Sequence, residues 1–143
     1  MNMLAGALTF VPLLTIAVAH FLWAFGNTWP IRNEQLLVQT VFGAPGAMKM
    51  PNRLLTFGIA VLLLIAGIIA LSLADHASGG GGLTAIGALL AVVFLGRGVL
   101  GYTPQWRARF PVEPFATLDR RNYSPLSLWI GAGFVILVLL RLL

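Results

Sequence analysis

The sequence predicts an all-α protein, a four-helix transmembrane bundle with long cytoplasmic loops that contain short interfacial helices. Of its 143 residues, 59% are hydrophobic and only 9% are charged, whereas a soluble domain carries about a quarter charged residues. A water-soluble chain of this length cannot hide so much apolar surface in one core. The apolar residues also fall into four runs, each close to the length of about 20 helical residues that crosses a bilayer. We therefore treat residues 1–143 as a single membrane domain.

The four apolar runs are the predicted spans, at about 4–25, 53–74, 83–102 and 126–143. Each must be helical, because backbone groups in lipid have to satisfy their own hydrogen bonds. The first run has no basic residues before it and is too long for an ordinary signal sequence, so we expect it to be retained. Small residues recur at helical spacing and predict close helix packing: Ala66, Ala70, Ala74, Gly87, Ala91, Gly131 and Gly133.

Basic residues are distributed unequally between the connections. Eight of the nine lie in or beside the first and third connections: Arg32, Lys49, Arg53, Arg97, Arg107, Arg109, Arg120 and Arg121. Positive loops face the cytoplasm, so we expect loops 26–52 and 103–125 to be cytoplasmic and both termini to lie outside. The net charge of +5 then predicts anionic lipid headgroups as partners, and not nucleic acid.

Turn and cap signals organise the connections. The outer connection contains Ser78 and the glycines 79–82, which we interpret as a flexible turn, because a phosphate-binding loop needs a lysine and a preceding strand. Asn33 can begin a short helix that Gly43 ends. Thr103-Pro104 combines a cap with proline at the first helical position, and Ser124-Pro125 repeats the signal at the predicted start of the fourth span. Each half is thus helix, long loop, helix, which suggests a structural repeat.

Two ionisable residues lie inside predicted spans, where such residues are often functional. His20 and Arg97 each precede the inner end of a span by about five residues, which is roughly 7–8 Å at 1.5 Å per residue. Their equal depth predicts one inner cavity. His20, Trp23 and Asn27 share a helical face that opens towards this cavity. In the alternative interpretation, His20 bonds a neighbouring helix and Trp23 belongs to the interfacial belt.

Arg97 stands between two glycines, which allow a close helix or water beside its guanidinium. It either clamps an anion or extends to the interface. Three acidic residues lie in the cytoplasmic loops, and Arg97 or Arg120 can pair with them to brace the loops: Glu34, Glu113 and Asp119. The segment after Thr103 places Trp106 and Phe110 on one face and Arg107 and Arg109 on another, which is typical of a helix lying at the interface.

These arguments define a candidate binding site on the cytoplasmic side, composed of His20, Trp23, Asn27, Arg97, Tyr102, Glu113, Asp119, Arg120 and Arg121. We predict no catalytic set, no cofactor and no metal. The chain has no cysteine, and His20 and His76 are predicted at opposite ends of the bundle. None of the established catalytic or dinucleotide-binding motifs is present.

Several runs carry a family resemblance: residues 113–126, residues 19–26, Gly96-Arg97-Gly98 and Tyr102-Thr103-Pro104. Together they resemble a family of small bacterial membrane proteins with four predicted helices, catalogued as a domain of unknown function. The resemblance covers essentially the whole chain. It implies a multi-pass protein of the bacterial inner membrane and supplies no activity.

Three functions remain open at this point. The first is a binding or accessory protein that holds an anionic lipid, an amphiphile or a partner subunit. The second is a small transporter or channel for an anionic or amphiphilic solute. Proton-coupled export of cations is disfavoured, because the predicted spans contain no acidic residue. The third is a membrane enzyme on a lipid-like substrate, with His20 acting beside Glu34 or Asp119. A homo-oligomer or a partner membrane protein is compatible with each, because a lipid-facing stripe can also be a subunit interface.

Overall fold

The computed structural model describes residues 1–77 and 79–143, and all regular elements in these ranges are helical. The elements in chain order are α1 (Asn2–Ala24), α2 (Glu34–Val41), α3 (Arg53–Ala74), α4 (Gly80–Leu100), α5 (Pro104–Arg109), α6 (Phe115–Leu118), a π-helical turn (Asp119–Tyr123) and α7 (Ser124–Leu142). Four stretches are long and apolar enough to cross a membrane: α1, α3, α4 and the continuous helix Phe115–Leu142. The predicted all-α fold with four spans is confirmed, and the chain is a multi-pass membrane protein.

The four spanning helices form two closely packed pairs. α1 packs mainly on α3, and α4 packs mainly on α7. α1 also lies against α7, whereas α1 and α4 share the least contact of any two spanning helices. Each pair corresponds to one half of the chain, joined by one long connection. We call the end of the bundle that carries residues 25–52 and 101–123 the loop end, and the opposite end the terminal end.

Small residues allow the helices to approach closely, as predicted. Ala70 is fully buried, and Ala66 and Ala74 are nearly so. A side chain on Gly131 of α7 could not be accommodated, because its Cβ would lie 2.8 Å from the backbone nitrogen of Leu95 in α4. The core inside this frame consists of larger apolar side chains from all four spans, with Leu13, Leu73, Ile130, Phe134 and Leu137 at its centre.

Two boundaries differ from the sequence prediction. α4 begins at Gly80 and not at residue 83, so Gly80, Gly81 and Gly82 form its first turn, while Gly79 takes a positive φ of 74°. The low helix propensity of glycine is a weak preference of about 1 kcal/mol per residue that context overrides. Within the predicted flexible turn 78–82, Ser78 lies outside the described residues.

The second difference concerns the start of the fourth span. Ser124 does not cap a helix, because the chain is already helical from Phe115 and continues through the π-helical turn into α7. A serine followed by proline can mark the start of a new helix, but it can also follow a π-helical turn within a continuous helix, as Ser124-Pro125 does. The sequence pattern is the same in both cases. The serine hydroxyl is instead used in a contact with Arg97.

The two long connections fold onto each other and form one layer over the loop end. Two of the predicted caps are confirmed, since Asn33 accepts a hydrogen bond from Leu36 N at 3.0 Å and Thr103 accepts one from Trp106 N at 3.3 Å. Val112 N donates to Gly43 O at 3.3 Å, and the Tyr123 hydroxyl donates to Thr40 O at 3.0 Å. Four rings line the seam between the connections: Phe42, Phe110, Phe115 and Tyr123.

The terminal end is smaller and has simpler contacts. Arg141 donates from Nη1 to Ser72 O at 3.3 Å and to Asp75 O at 3.2 Å. These carbonyls belong to the last turn of α3, where helix carbonyls have no partner within the helix. The side-chain amide of Asn2 donates to the His76 ring. His76 therefore lies at the opposite end of the bundle from His20, as predicted.

Candidate functional site

The loop end contains a buried polar network centred on Asp119, whose side chain is only 2% exposed. Its Oδ1 lies 2.5 Å from Arg97 Nη2, and its Oδ2 accepts a hydrogen bond from the indole nitrogen of Trp106 at 2.9 Å. Arg97 also donates from Nη1 to Ser124 Oγ at 3.5 Å, and its guanidinium carbon lies 4.4 Å from the Trp106 ring centroid. We call these four residues the Asp119 cluster; it joins α4, α5, the π-helical turn and α7.

Two local features of the sequence bring the cluster together. Gly101 lets the π-helical turn approach the end of α4, because a Cβ there would lie 3.1 Å from Asp119 Oδ2 and would overlap the Ser124 hydroxyl. In a π-helix, each backbone N–H donates to the carbonyl of the fifth preceding residue. Pro125 has no N–H, so the carbonyl of Arg120 has no backbone donor from that position. The Tyr102 hydroxyl supplies that donor at 3.2 Å.

Within the Asp119 cluster, the negative charge of Asp119 is balanced by the positive charge of Arg97. A buried carboxylate is unfavourable unless it is paired and hydrogen-bonded, and both oxygens of Asp119 have partners. The side chain of Arg97 is 30% exposed, so the guanidinium is the part of the ion pair that reaches the surface. The arrangement fixes the position of α5 and of the π-helical turn relative to α4.

The other two acidic residues of the loop end bond to nearby groups and not to arginine. Glu34 accepts a hydrogen bond from Met50 N at 3.2 Å. Glu113 accepts from the backbone and the hydroxyl of Thr117, at 3.2 and 3.0 Å, and so stabilises the start of α6. Of the three acidic residues that we expected to pair with Arg97 or Arg120, Asp119 is the one that does so, and its partner is Arg97.

The seven other basic residues of the loop end make no ion pair within the described part of the chain. They are Arg32, Lys49, Arg53, Arg107, Arg109, Arg120 and Arg121. Six of the seven are exposed, and Arg107 is half-buried. Arg120 and Arg121 stand side by side on the π-helical turn, directly after Asp119. The loop end therefore has an excess of uncompensated positive charge on its surface.

His20, Trp23 and Asn27 form a second group on the other half of the molecule. His20 Nδ1 lies 2.8 Å from Ile16 O, and since a carbonyl only accepts, this nitrogen carries the proton. The His20 and Trp23 rings are 4.8 Å apart, and Trp23 donates to Trp29 O at 2.7 Å. Asn27 accepts from Trp29 N at 2.8 Å. We call His20, Trp23 and Asn27 the His20 group.

The structure thus places the nine predicted site residues in separate arrangements. Arg97 and Asp119 lie in the Asp119 cluster, and Tyr102 and Arg120 are joined beside it, with Arg121 adjacent. Among the described residues, no hydrogen bond, ion pair or ring contact connects the His20 group to the Asp119 cluster, and none connects His20 with Glu34 or Asp119. Trp106 and Ser124 are members of the cluster that were absent from the predicted site.

The surface of the molecule has grooves, and two of them have well-defined linings. One of about 480 Å³ lies in the elbow between α4 and α5 and is lined by Leu100, Thr103, Gln105, Trp106, Ala108 and Arg109. Another of about 410 Å³ lies between α1 and α7 and is lined by Ala7, Leu8, Val11, Pro12, Leu126 and Trp129. In the described ranges, no three His, Cys, Asp or Glu side chains are grouped so that they could hold a metal ion.

Comparison with known proteins gives one match. A family model described as "Protein of unknown function (DUF3995)" matches residues 13–134. The matched range runs from within α1 to within α7, so it includes both the Asp119 cluster and the His20 group. No curated protein and no solved structure matches this chain.

Proposed function

Since the chain belongs to the DUF3995 family of proteins of unknown function, we propose from its own chemistry that it is an accessory membrane protein whose loop end binds anionic phospholipid headgroups. The loop end would face the cytoplasm of a bacterial cell, with the protein in the inner membrane. This orientation follows from the excess of basic residues at one end of the spans, which is typical of cytoplasmic loops.

The uncompensated positive charge of the loop end is the observation that carries this proposal. Arg97 is neutralised by a buried carboxylate, but the other seven basic side chains of the loop end have no ion-pair partner among the residues that the structure describes. Each lysine or arginine near an anionic membrane surface contributes about 1 kcal/mol of attraction. A folded layer that holds several such residues at the boundary is therefore suited to retain anionic lipid.

Arg120 and Arg121 are the best placed of these residues. Both are exposed, and they project from a turn whose first residue, Asp119, is fixed by two neighbours. The Tyr102 hydroxyl fixes the backbone of Arg120. Since the backbone is already ordered, little conformational entropy remains to be lost when the guanidinium groups bind phosphate, and preorganisation of this kind strengthens binding.

The contacts give less support to the transport and enzyme hypotheses. An anion pathway past Arg97 would need a guanidinium that is available to solute, but Asp119 and Ser124 already accept hydrogen bonds from it. An acid–base pair would need His20 near a carboxylate, but its bonded partner is a carbonyl of its own helix.

Lipid binding can be measured by native mass spectrometry of the protein released from nanodiscs that contain equal amounts of phosphatidylglycerol and phosphatidylcholine. We expect the wild type to retain phosphatidylglycerol preferentially, and the preference to fall as salt increases, because salt screens exposed charges. Removing both charges with Arg120→Gln and Arg121→Gln should reduce the preference about 30-fold, from about 1 kcal/mol per residue and 1.4 kcal/mol per factor of ten.

Matched controls separate charge from structure in this experiment. Asn122→Gln changes a neighbouring exposed residue of the same turn without changing charge, and should leave the preference intact. Replacing Arg120 and Arg121 with lysine keeps the charge and should preserve most of it. Equal retention of the two lipids by the wild type, or an unchanged preference in the double glutamine variant, would show that the proposal is wrong.

A further inference from the structure

The two glycines that flank Arg97 have different surroundings. Gly98 packs against α7, because a Cβ there would lie 2.6 Å from the Leu128 side chain. Apart from its two chain neighbours and the backbone of its own helix, Gly96 has nothing within 4 Å of its Cβ position, and it is exposed. Helix packing therefore explains Gly98 and leaves Gly96 without a structural reason, although glycine inside a helix is unfavourable by about 1 kcal/mol relative to alanine.

Gly96 interrupts a lipid-facing stripe of α4. Leu89, Val93, Gly96 and Leu100 follow one another at intervals of four, three and four residues, which places them on one face of the helix. The three side chains of this stripe are about half exposed or more, at 62%, 54% and 49% for Leu89, Val93 and Leu100. Because Gly96 has no side chain, the stripe has a notch that is open to the lipid.

The notch leads to the groove between α4 and α5. Leu100 belongs to both features, since it ends the stripe and lines the groove. At 1.5 Å per residue, Gly96 lies about 6 Å deeper in the membrane than Leu100. With the membrane boundary placed at the end of α4, the groove lies at headgroup level and the notch lies at the level of the first carbons of an acyl chain.

The groove lining has an apolar part and a polar part. Leu100, Trp106 and Ala108 provide apolar surface. The Thr103 hydroxyl is already used, because it donates to Leu100 O at 2.7 Å and accepts from Trp106 N. Arg109 lines the groove, is exposed and has no ion pair in the described part of the chain, so its guanidinium is the available group for a phosphate, which it can bind bidentately.

We infer that α4 and α5 form a site for one anionic phospholipid, with an acyl chain over Gly96 and the lipid phosphate bound by Arg109. This inference rests on the proposed function and names one site within it. Arg109 is suited to the anionic phosphate, and the deeper notch at Gly96 is suited to the acyl chain. A phospholipid presents these two parts in the same order, with the phosphate nearer to water and the acyl chain deeper in the membrane. Gln105, which is exposed at the same groove, provides an amide donor for the rest of the headgroup.

Arg107 gives a matched control for the headgroup end. It lies two residues before Arg109 on α5 but does not line the groove. In a native mass spectrometry titration with phosphatidylglycerol, we expect Arg109→Gln to weaken the tightest lipid-binding event at least tenfold, because it removes a charge-assisted contact to the phosphate as well as about 1 kcal/mol of general attraction. Arg107→Gln removes the same charge from the same helix without removing a contact in the groove, so it should weaken that event by no more than about fivefold, the equivalent of about 1 kcal/mol of general attraction.

Gly58 gives a matched control for the chain end. It lies on α3 and, like Gly96, has nothing within 4 Å of its Cβ position. Phosphatidylglycerol with a diazirine in its acyl chain can be photo-cross-linked to the protein and the labelled residues mapped. Wild-type labelling should concentrate on residues 89–100. Gly96→Leu should reduce it at least fivefold, whereas Gly58→Leu should leave it unchanged; a Cβ at either position meets no neighbouring side chain and no other element, so we expect both variants to fold.

The outcomes distinguish the site from the wider proposal. If Arg109→Gln and Arg107→Gln weaken binding equally, or if labelling is spread evenly over the four spans, the site is wrong, while the preference for phosphatidylglycerol and its loss on replacing Arg120 and Arg121 would still support the proposed function. If the wild type has no preference for phosphatidylglycerol, both are wrong. Selective losses with Arg109→Gln and Gly96→Leu would establish the site.

Discussion

The Asp119 cluster and the His20 group lie towards the same end of the bundle, but their contacts differ in range. The cluster joins side chains between residues 97 and 124 and so connects four elements. All polar contacts of the His20 group fall between residues 16 and 29, within α1 and the turn that follows it. The first group therefore holds the fold of the loop end together, whereas the second stabilises the end of a single helix.

The difference shows that equal depth in the membrane does not bring two polar residues into one site. α1 and α4 share the least contact of the spanning helices, so His20 and Arg97 belong to different helix pairs. A buried carboxylate needs charged and hydrogen-bonding partners. The His20 imidazole needs no charged partner, and a hydrogen bond to the carbonyl of Ile16, one turn earlier in the same helix, is sufficient. Asp119 therefore needs a partner that is distant in the sequence, whereas His20 does not.

The largest effect on stability is expected when either member of the ion pair between Arg97 and Asp119 is removed. Arg97→Gln leaves a carboxylate whose side chain is 2% exposed without its cation, whereas Asp119→Asn leaves an arginine whose side chain is 30% exposed and long enough to extend its charge to the interface. Breaking a buried pair costs about 3–5 kcal/mol, and we expect Arg97→Gln to fall in that range. Asp119→Asn should cost clearly less. The free energy of unfolding can be measured by SDS titration in mixed micelles.

The ordering of these two variants is the informative result. Equal losses would mean that the two charges are equally shielded from water, contrary to their exposures. Arg121→Gln serves as the control, because it removes a basic charge two residues from Asp119 at an exposed position and should change stability by less than about 0.5 kcal/mol.

α1 also has a long-range polar contact, but at Pro12 and not at His20. Pro12 has no N–H to donate to Leu8 O, and an unsatisfied carbonyl in lipid is costly. The Trp129 indole of α7 donates to Leu8 O at 3.2 Å. Tyr102 has the same role for Arg120 O beside Pro125. In both places an aromatic side chain from another part of the chain, Trp129 of α7 or Tyr102 of the turn between α4 and α5, replaces the donor that a proline lacks.

A double-mutant cycle tests this exchange. Trp129→Phe removes the indole donor and should cost about 1 kcal/mol, typical of an interhelical hydrogen bond in a membrane protein. Pro12→Ala restores a backbone donor to Leu8 O, so Trp129→Phe should cost markedly less in that background. The same unfolding assay applies. Additive losses from the two substitutions would show that the indole contributes packing alone, and that the missing donor at Pro12 has no energetic importance.

The sequence predicted the features that depend on neighbouring residues. Four spans followed from local hydropathy and length, and Asn33 and Thr103 were identified as caps because a cap and the backbone that it bonds lie within three residues. The partner of Asp119 was narrowed to two arginines, but spacing could not choose between them, since they lie on different helices. Trp106 and Ser124 joined the cluster through tertiary packing, which leaves no periodic signal in the chain.

The smallest predicted effect concerns His20 and makes the comparison sharper. If its contacts are local, His20→Ala removes one bond to Ile16 O and one ring contact with Trp23. The carbonyl keeps its backbone bond within the helix, so no buried polar group is left unsatisfied, and the loss should be about 0.6 kcal/mol or less. Combined with Asp119→Asn, the two losses should add, because separated sites are independent. A coupling larger than about 0.5 kcal/mol between these positions would show that the two groups are energetically connected, and it would support the single inner cavity that the equal depth of His20 and Arg97 predicts.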